Sequence, residues 1–256
     1  MIRLKTEQEI ALMREGGKRA ALIVDTLGKM VRPGVRAIDI DTKARELIAE
    51  AGGTASFLGY TPRGVKRKYP AAICVSINEE VVHGIPTEGN KVFQEGDMVK
   101  LDLGFTYQGL VLDHARTFIA GTAPKKLQEL AWATEEALMA GIQAARPGAY
   151  IGDIGAAVSA IGKKHGYGIV TELSGHGVGY SVHEEPFVPN LARAGTGPKI
   201  EVGLVIAIEP MFTLGGGEVF PLEDEYTFVT GDRSIASHAE HTVAITANGP
   251  VILTEL

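Results

Sequence analysis

The sequence predicts an α+β fold that consists of two similar halves, with an antiparallel sheet and helices on its outside. Three observations support this prediction: strongly helical segments occur in two sets, short apolar segments typical of strands follow each set, and several motifs occur twice in the same order. The chain has 256 residues, of which 45% are hydrophobic, so it can form a large core. We therefore expect one domain over residues 1–256, with halves of about 1–121 and 122–256 related by a pseudo-twofold axis.

Two long helices are predicted, one at the start of each half. The first begins after Thr6, which has the capping-box pattern with Glu9. The second begins near Pro124, because proline is favoured in the first turn of a helix. Each long helix is followed by an Arg-Pro-Gly sequence and then by a shorter helix that ends near glycine. The Arg-Pro-Gly sequences and the shorter helices lie at 32–34 and 146–148, and at 39–51 and 153–164.

The strands are predicted from short segments rich in β-branched, aromatic and other apolar residues. These segments cover 72–76, 98–103, 109–119, 204–211, 226–230 and 242–246. Two of them contain an acidic residue in an apolar context, Asp102 in VKLDLG and Glu209 in VIAIEPM. Carboxylates at such positions are unusual, because burial of an unpaired charge is costly.

The motifs that occur twice carry histidines and carboxylates. Val-His-x-x-Pro occurs at 82–86 and again at 182–186. The corresponding residues are His83 with His183, Asp102 with Glu209, and Asp113-His114 with Glu240-His241. Any one match is also compatible with a repeated structural turn, but several matches in the same order indicate an internal duplication. A pseudo-twofold axis would bring these groups together where the halves meet.

Four carboxylates at one buried place predict a metal site. They would repel one another or take up protons unless cations neutralised them. With His176 from the Gly-His-Gly sequence, the set comprises Asp102, Asp113, His176, Glu209 and Glu240. Such ligands suit a pair of divalent ions, Mn, Fe(II), Co or Zn, and paired sites of this kind activate water for hydrolysis.

Each of these residues alone is more typical of a turn or of a hydrogen-bonded structural position. The prediction therefore depends on the joint pattern. His114 and His241 lie next to predicted ligands and are expected to support them. His165 and His238 are expected at the surface.

Composition excludes several other classes of protein. The net charge is −6, which argues against a general nucleic-acid binder. The N-terminal segment carries charges throughout and is not a signal peptide, and no apolar run has the length of a membrane span. Cys74 is the only cysteine, which excludes an intrachain disulfide and a thiolate zinc cluster. We expect a cytoplasmic monomer that binds neither DNA nor membranes.

Taken together, these residues closely resemble the type I methionine aminopeptidases, which have the pita-bread (creatinase/aminopeptidase-like) fold. The likeness extends over nearly the whole chain. It includes SINEEVVHGIP, the spacing of Asp102 and Asp113, GHGVGYSVHEEP, IEPM and AEHTV. The resemblance implies hydrolysis of the first peptide bond of nascent polypeptides, which removes the N-terminal methionine and favours a small second residue.

The resemblance also implies a role for each matching residue. Asp102, Asp113, His176, Glu209 and Glu240 would bind two divalent ions, and Asp113 and Glu240 would bridge them. His83 would contact the main chain of the substrate near the scissile bond, and His183 would hydrogen-bond the scissile carbonyl or the oxyanion. Glu209 would also accept the proton of the attacking water.

The expected pocket for the methionine side chain departs from the family pattern. It would consist of Tyr69, Cys74, Val182 and Tyr226. Val182 stands where an aromatic residue is often found, and Tyr226 stands where a tryptophan is expected. The loop 61–68, TPRGVKRK, is longer and more basic than the bacterial pattern. It is interpreted either as a solvated basic loop or as a contact with ribosomal RNA or the nascent chain.

Two other functions are compatible with the same fold. An X-prolyl aminopeptidase or prolidase is suggested by Arg116 shortly after Asp113, although those enzymes usually carry an additional N-terminal domain. A non-catalytic binding protein would be expected to lack ligands, whereas every expected ligand is present. A type II methionine aminopeptidase is rejected, because only residues 177–208 separate His176 from Glu209.

Overall fold

The computed structural model describes residues 1–62 and 64–256. The helices are α1 (Glu7–Gly28), α2 (Ala37–Glu50), α3 (Lys125–Ala144) and α4 (Ile151–His165). The strands are β1 (Thr54–Ala55), β2 (Cys74–Ile77), β3 (Glu80–Val82), β4 (Met98–Tyr107), β5 (Leu110–Ile119), β6 (Gly168–Ile169), β7 (Ser174–Gly177), β8 (Glu184–Pro189), β9 (Val205–Ile208), β10 (Met211–Thr213), β11 (Val219–Pro221), β12 (Phe228–Thr230), β13 (Ala236–His238), β14 (Glu240–Thr246) and β15 (Gly249–Ile252).

The four predicted helices are confirmed, and their ends follow the local signals in the sequence. At the start of α1 the backbone N–H of Glu9 donates to the Thr6 hydroxyl at 3.2 Å, and the Glu9 carboxylate accepts from the Thr6 N–H at 2.8 Å. This is the predicted capping box. Helix α4 ends at Gly166, which adopts a left-handed conformation with φ of +72°.

The main sheet is antiparallel, as predicted. Its strands follow the order β1-β4-β5-β14-β9-β7-β8, with β2 paired to β4 and β15 paired to β14. Two further antiparallel sheets of three strands have the orders β13-β10-β6 and β11-β12-β3. Strand β3 pairs with β12 and so belongs to the second of these sheets. Strand β2, which precedes β3 along the chain, pairs with β4 in the main sheet.

The middle of the main sheet is the junction of β5 with β14. At this junction His114 lies opposite His241, and their rings stack with centroids 4.9 Å apart. Strands β4 and β2 follow on the β5 side, and strands β9 and β7 follow on the β14 side. Two similar halves would produce such an order, with two strands of each half on either side of the junction. The division of the chain at about residue 121 stays a prediction.

Two large hydrophobic clusters support the sheet. The first lies where α1 packs on β4 and β5, and it includes Met13 and Leu101. The second lies under α3 and α4 and includes Leu130 and Ile206. Helix α1 lies so close to the end of the chain that a Cβ at Gly17 would come within 2.2 Å of the Leu253 carbonyl oxygen. Glycine is therefore required at that position.

In the described part of the chain, no helix combines the length and the apolar character needed to cross a membrane.

Candidate metal centre and active site

A cavity of about 50 Å³ contains all five predicted metal ligands and both histidines of the repeated motif. A single water needs about 10–15 Å³ by this measure, so the cavity has room for a ligand group of a few atoms. Carboxylates and imidazoles form one part of the wall, and aromatic residues form much of the rest. The lining residues are Phe57, Tyr60, Pro62, Tyr69, Cys74, His83, Asp102, Asp113, His176, His183, Glu209, Tyr226 and Glu240.

The pairing of β4 with β5 places two carboxylates on one face of the sheet. Asp102 lies opposite Ala115, and Asp113 lies two residues along β5 from Ala115. Since side chains alternate between the two faces of a strand, the carboxylates of Asp102 and Asp113 point to the same face. The residue opposite Asp113 is Gly104, which has no side chain to obstruct the carboxylate.

The other three predicted ligands come from β14, β7 and the end of β9. Glu240 begins β14, His176 lies on β7, and Glu209 directly follows β9. One ligand atom each from Asp113, His176 and Glu240 lies within 4.8 Å of the others, which suits a common metal ion. The His176 Nε2 lies 3.5 Å from the Glu209 carboxylate. Strands from both parts of the chain therefore bring the ligands together.

Burial raises the pKa of every carboxyl group in this cluster. The pKa of Asp102 is raised to about 6, mainly by burial, and the pKa of Glu209 is raised to about 8 by burial. The pKa values of Asp113 and Glu240 lie well above the ordinary range, because burial is reinforced by neighbouring carboxylates. In a protein without bound cations Asp113, Glu209 and Glu240 would therefore hold protons near neutral pH, as expected for converging negative charges, whereas Asp102 would lose its proton at about pH 6.

The donor set fits divalent metal ions. The Oδ1 atom of Asp102 is buried and has no hydrogen-bond partner among the described residues, so it has a lone pair free for a cation. His176 Nδ1 lies 2.9 Å from the Gly177 carbonyl oxygen, and a proton on Nδ1 leaves Nε2 free to bind a metal. Burial lowers the pKa of His176 to about 3, which keeps the imidazole neutral. Carboxylate oxygens with a neutral imidazole suit Mn, Fe, Co and Zn.

The backbone around two ligands is held by side chains behind the cavity. The hydroxyl of Thr242 donates to the Asp113 carbonyl oxygen at 2.8 Å and accepts from the Asp113 N–H at 2.9 Å. The His114 Nδ1 lies 2.7 Å from the Glu240 carbonyl oxygen. His241 contacts Thr254 through Nδ1 at 2.9 Å. These contacts fix strands β5 and β14 at the level of the carboxylates.

The two histidines of the repeated motif lie in the same cavity. His83 adopts a left-handed backbone conformation with φ of +58°, which is uncommon outside functional sites for a non-glycine residue. The His183 Nδ1 lies 2.7 Å from the Tyr60 hydroxyl. When this hydroxyl donates to Nδ1, the Nε2 atom of His183 carries the proton and is itself a donor. Burial lowers the pKa of both histidines, that of His83 to about 4, so both are neutral at pH 7.

The apolar part of the cavity wall is built largely from aromatic rings. Tyr69 packs edge-to-face on Tyr226 with centroids 5.0 Å apart, and on Phe57 with centroids 6.4 Å apart. Burial raises the pKa of the Cys74 thiol, which therefore stays neutral and polarizable. Among the described residues, Val182 is buried in the adjoining core cluster and is not one of those that line the cavity. Its role in the pocket stays a prediction.

The expectation that His238 lies at the surface is wrong. His238 is only 1% exposed, and its Nε2 atom lies 3.5 Å from the Glu209 carboxylate. Its position could have been found from the sequence, because it precedes Glu240 by two residues and alternate residues of an extended segment share a face. His165 was also expected at the surface. It is half-buried, with Nε2 3.0 Å from Glu136.

Three lining residues, Phe57, Tyr60 and Pro62, were missed by the sequence analysis. They lie in a connection without a recognisable motif, and only the folded chain brings them to the cavity. The basic loop 61–68 therefore borders the cavity through Pro62. Within this loop Arg63 lies outside the described residues, Arg67 forms an ion pair with Glu88, and Lys66 and Lys68 are exposed.

Comparison with known proteins identifies the family of the chain. A family model described as metallopeptidase family M24 matches residues 11–247. The chain belongs to metallopeptidase family M24. Within this family it is 44% identical to the methionine aminopeptidase of Aquifex aeolicus over 100% of this chain and 99% of the relative. It is 38% identical to methionine aminopeptidase 1 of Bacillus subtilis over 100% of both chains.

Solved structures of the family agree with this membership. The crystal structure of methionine aminopeptidase from Thermotoga maritima matches with a TM-score of 0.95 at 40% identity and covers 100% of both chains. Prolidase from Pyrococcus furiosus matches with a TM-score of 0.78 at 24% identity, over 99% of this chain but 65% of that chain. The second match shows a shared fold alone. The predicted resemblance to methionine aminopeptidases and the predicted pita-bread fold are confirmed.

Metal binding should stabilise the protein more strongly at pH 8 than at pH 6. The pKa of Glu209 is raised from 4.5 to about 8. Protonation of Glu209 therefore stabilises the metal-free fold at low pH. This stabilisation is lost as the pH rises through about 8. A metal ion must displace these protons, so binding strengthens over the same range. At about 100 times the Kd we expect a gain of about 2.7 kcal/mol, or roughly 5–10 °C in Tm.

The measurement is Tm with Mn²⁺ and with a chelator, at pH 6, 7 and 8. Glu129→Gln on the exposed face of α3 is the control and should show the gain of the unaltered chain. Glu209→Gln should show a smaller gain and a weaker dependence on pH. A gain that stays constant or decreases from pH 6 to pH 8 would contradict the titration described above.

Proposed function

We propose that this chain is a metal-dependent aminopeptidase that removes the N-terminal methionine of proteins and favours a small second residue. The observation that carries this proposal is the cavity itself, where a cluster of carboxylates and histidines faces a small apolar wall that contains Tyr69, Cys74 and Tyr226. One end suits the scissile bond, and the other suits a single unbranched, polarizable side chain. Full-length similarity to methionine aminopeptidases supports the same conclusion.

Five residues would hold two divalent ions in this site: Asp102, Asp113, His176, Glu209 and Glu240. The resemblance to methionine aminopeptidases implies that Asp113 and Glu240 would be shared by both ions, and these residues lie on the neighbouring central strands β5 and β14. Two ions would balance the four carboxylates in charge, which reduces the cost of burying them. Co, Mn, Fe(II) and Zn all suit these ligands. When bound, such ions supply Lewis acidity and make water nucleophilic near neutral pH.

Glu209 would move the proton in the reaction. Its carboxylate lies at the edge of the cluster, within 3.5 Å of both His176 and His238. A carboxylate in this place can accept a proton from the attacking water and deliver it to the leaving amine. His238 is buried and neutral, since burial lowers its pKa to about 4, and neither ring nitrogen has a hydrogen-bond partner among the described residues. Its Nε2 atom, 3.5 Å from the Glu209 carboxylate, would be free to donate to that carboxylate and orient it.

His183 and His83 would contact the reacting peptide. His183, held by Tyr60 at Nδ1, would donate from Nε2 to the carbonyl oxygen as negative charge develops there. His83 would bind the main chain near the scissile bond. The repeated motif would thus supply two neutral imidazoles beside the predicted metal centre, and neither imidazole adds charge at pH 7.

The partners and the location follow from this activity. The substrates would be N-termini of nascent polypeptides, and the cytoplasm is where such chains emerge. Lys66 and Lys68 are exposed beside the cavity, so the loop 61–68 is available for a transient contact with ribosomal RNA or a nascent chain. The alternative interpretation is a solvated basic loop. We expect the protein to act as a monomer.

The X-prolyl alternative is not favoured. The chain is 44% identical to the methionine aminopeptidase of Aquifex aeolicus, whereas it is 24% identical to the Pyrococcus furiosus prolidase. A non-catalytic role is not favoured either, because the chain belongs to a metallopeptidase family and retains every predicted ligand.

Hydrolysis of short peptides tests the proposed reaction. Metal-free protein titrated with Mn, Co, Fe(II) or Zn should release methionine from Met-Ala-Ser and leave an X-Pro peptide intact. Met-Leu-Ser should be cut more slowly, because its second residue is larger. Release of the residue before proline would instead assign the chain to the X-prolyl branch. Metal binding without hydrolysis of either peptide would contradict the catalytic role.

Asp102→Asn should abolish turnover and reduce bound metal. The change removes a negative charge and a ligand oxygen from the centre of the cluster. We expect metal affinity to fall by more than the roughly 10- to 100-fold that follows loss of a ligand's supporting partner. Bound metal is measured by elemental analysis after dialysis. The control is Asp41→Asn. Asp41 is buried like Asp102 but lies outside the cavity, so this variant should bind metal like the unaltered chain. Full activity of Asp102→Asn with unchanged metal content would remove Asp102 from the ligand set.

His183→Ala should keep its metal and lose most of kcat. Loss of one oxyanion donor typically lowers kcat by about 10²- to 10³-fold, and KM should change little. Tyr60→Phe should lower kcat less, because the imidazole remains but loses the partner at Nδ1. His165→Ala, a change remote from the cavity, is the control. If His183→Ala raised KM and left kcat unchanged, His183 would bind the ground state rather than the transition state.

A further inference from the structure

Lys100 is a buried lysine that the proposed reaction does not use. It lies on β4, two residues before Asp102, and is only 1% exposed. Lysine is rarely buried without a partner of opposite charge. Among the described residues, no carboxylate lies within 4 Å of its Nζ atom to form an ion pair. The position therefore requires another explanation.

Backbone carbonyl groups surround the amine of Lys100. Its Nζ atom donates to the carbonyl oxygens of Asn78 at 2.7 Å, Ala236 at 3.2 Å and, more weakly, Met98 at 3.5 Å. An ammonium group has three donors and no acceptor, so it matches three carbonyl oxygens. We refer to these three carbonyl oxygens as the carbonyl cradle. Burial lowers the pKa of Lys100 to about 7, and hydrogen bonds to such dipoles offset part of the cost of burying the charged form.

The carbonyl cradle joins three separate segments. Asn78 lies in the turn between β2 and β3, with a left-handed φ of +52°, and its side chain contacts both Asp97 and the Met98 N–H. Its carbonyl oxygen also accepts from the Ala236 N–H at 3.0 Å, at the start of β13. Lys100 thus reinforces the place where β4, the β2–β3 turn and β13 meet. Its contact with Ala236 spans 136 positions of the chain.

Each joined segment leads directly to the site. Strand β3 follows the Asn78 turn and ends at Val82, directly before His83. Strand β13 carries His238 and is followed by Glu240, and β4 carries Asp102. A change in the separation of the Asn78 turn from β13 would therefore move His83 relative to Glu240. Displacements of about 1 Å in an active site can lower the rate by about 100-fold.

We propose that Lys100 is a positioning residue: its amine, held in the carbonyl cradle, sets the distance between the β2–β3 turn that leads to His83 and the strand β13 that leads to Glu240. This inference rests on the proposed aminopeptidase activity. Without the amine, the carbonyl oxygens of Asn78 and Ala236 lose a shared donor and repel each other, and the hydrogen bond from the Ala236 N–H to the Asn78 oxygen has to hold the two segments without it. The two segments then separate or admit water, and His83 no longer meets the substrate held at the metal centre.

The first test replaces Lys100 by methionine, which has a similar length and no donor. Lys100→Met should lower kcat for Met-Ala-Ser by about 10- to 100-fold, with KM within about threefold and bound metal unchanged. The control is Lys91→Met, which removes another lysine that contacts β3, through the carboxylate of Glu80 at 2.6 Å. Its kcat should stay within about twofold of the unaltered chain, since this half-buried pair involves no carbonyl group of the carbonyl cradle.

A second variant tests the carbonyl cradle directly. Lys100→Ala removes three methylene groups and the amine. Propylammonium has the same three carbon atoms and the same amine, so it can replace the lost part of the side chain. Added propylammonium should raise the Tm of metal-free Lys100→Ala and restore part of kcat in the metal-loaded protein. Tetramethylammonium at the same concentration has equal charge but no N–H donor and should do neither. The Tm measurement does not depend on catalysis.

These outcomes separate the inference from the proposed function. If the unaltered chain releases no methionine, the proposed function fails, while the Tm rescue still reports whether the carbonyl cradle binds an amine. The positioning role is overturned if Lys100→Met keeps kcat within twofold, or if the two ammonium ions act alike on Lys100→Ala. It is also overturned if neither variant folds with or without propylammonium, because Lys100 would then serve general stability.

Discussion

The structure depends on the burial of four carboxylates at one place in an antiparallel sheet. Asp102, Asp113, Glu209 and Glu240 are all withdrawn from water, and each has a pKa above its ordinary range. Such a cluster is stable only when protons or cations neutralise it. The fold must therefore hold the carboxylates in place against their mutual repulsion. The hydrophobic clusters on both sides of the β5·β14 junction supply that restraint, since they fix the strands rather than the side chains.

The polar contacts around the cluster follow from the same requirement. A ligand must keep its oxygen free for a cation, so its position has to be set through the backbone. Thr242 holds the main chain of Asp113, and His114 holds the carbonyl of Glu240, while Oδ1 of Asp102 has no partner in the described residues. Lys100 follows the same principle from farther away, because in the described part of the chain its amine donates only to backbone carbonyl groups. Supporting residues that bind backbone leave the reactive atoms available.

Local signals in the sequence were sufficient for the four helices, for strands such as β4, β5 and β14, and for the ligand candidates. Shorter strands were not predicted, among them β7, which carries His176, and β13. The capping box at Thr6, the acids inside apolar strands and the repeated Val-His-x-x-Pro motif are all visible within a few residues. Contacts between distant segments were not visible: Tyr60 meets His183 across 123 positions, and Lys100 meets Ala236 across 136. A lysine in a strand carries no signal of burial. The misplacement of His238 was avoidable, because strand alternation from Glu240 predicts the buried face.

The positions of the site residues separate chemistry from specificity. Most predicted ligands lie on strands, where register fixes them within the core of the sheet. Phe57, Tyr60, Tyr69 and Tyr226 lie on connections between strands, yet they form most of the apolar wall. Connections tolerate insertion and substitution better than paired strands do. A change of pocket therefore need not disturb the carboxylate cluster. This arrangement explains how a prolidase can share the fold at 24% identity while its name indicates a different peptide substrate.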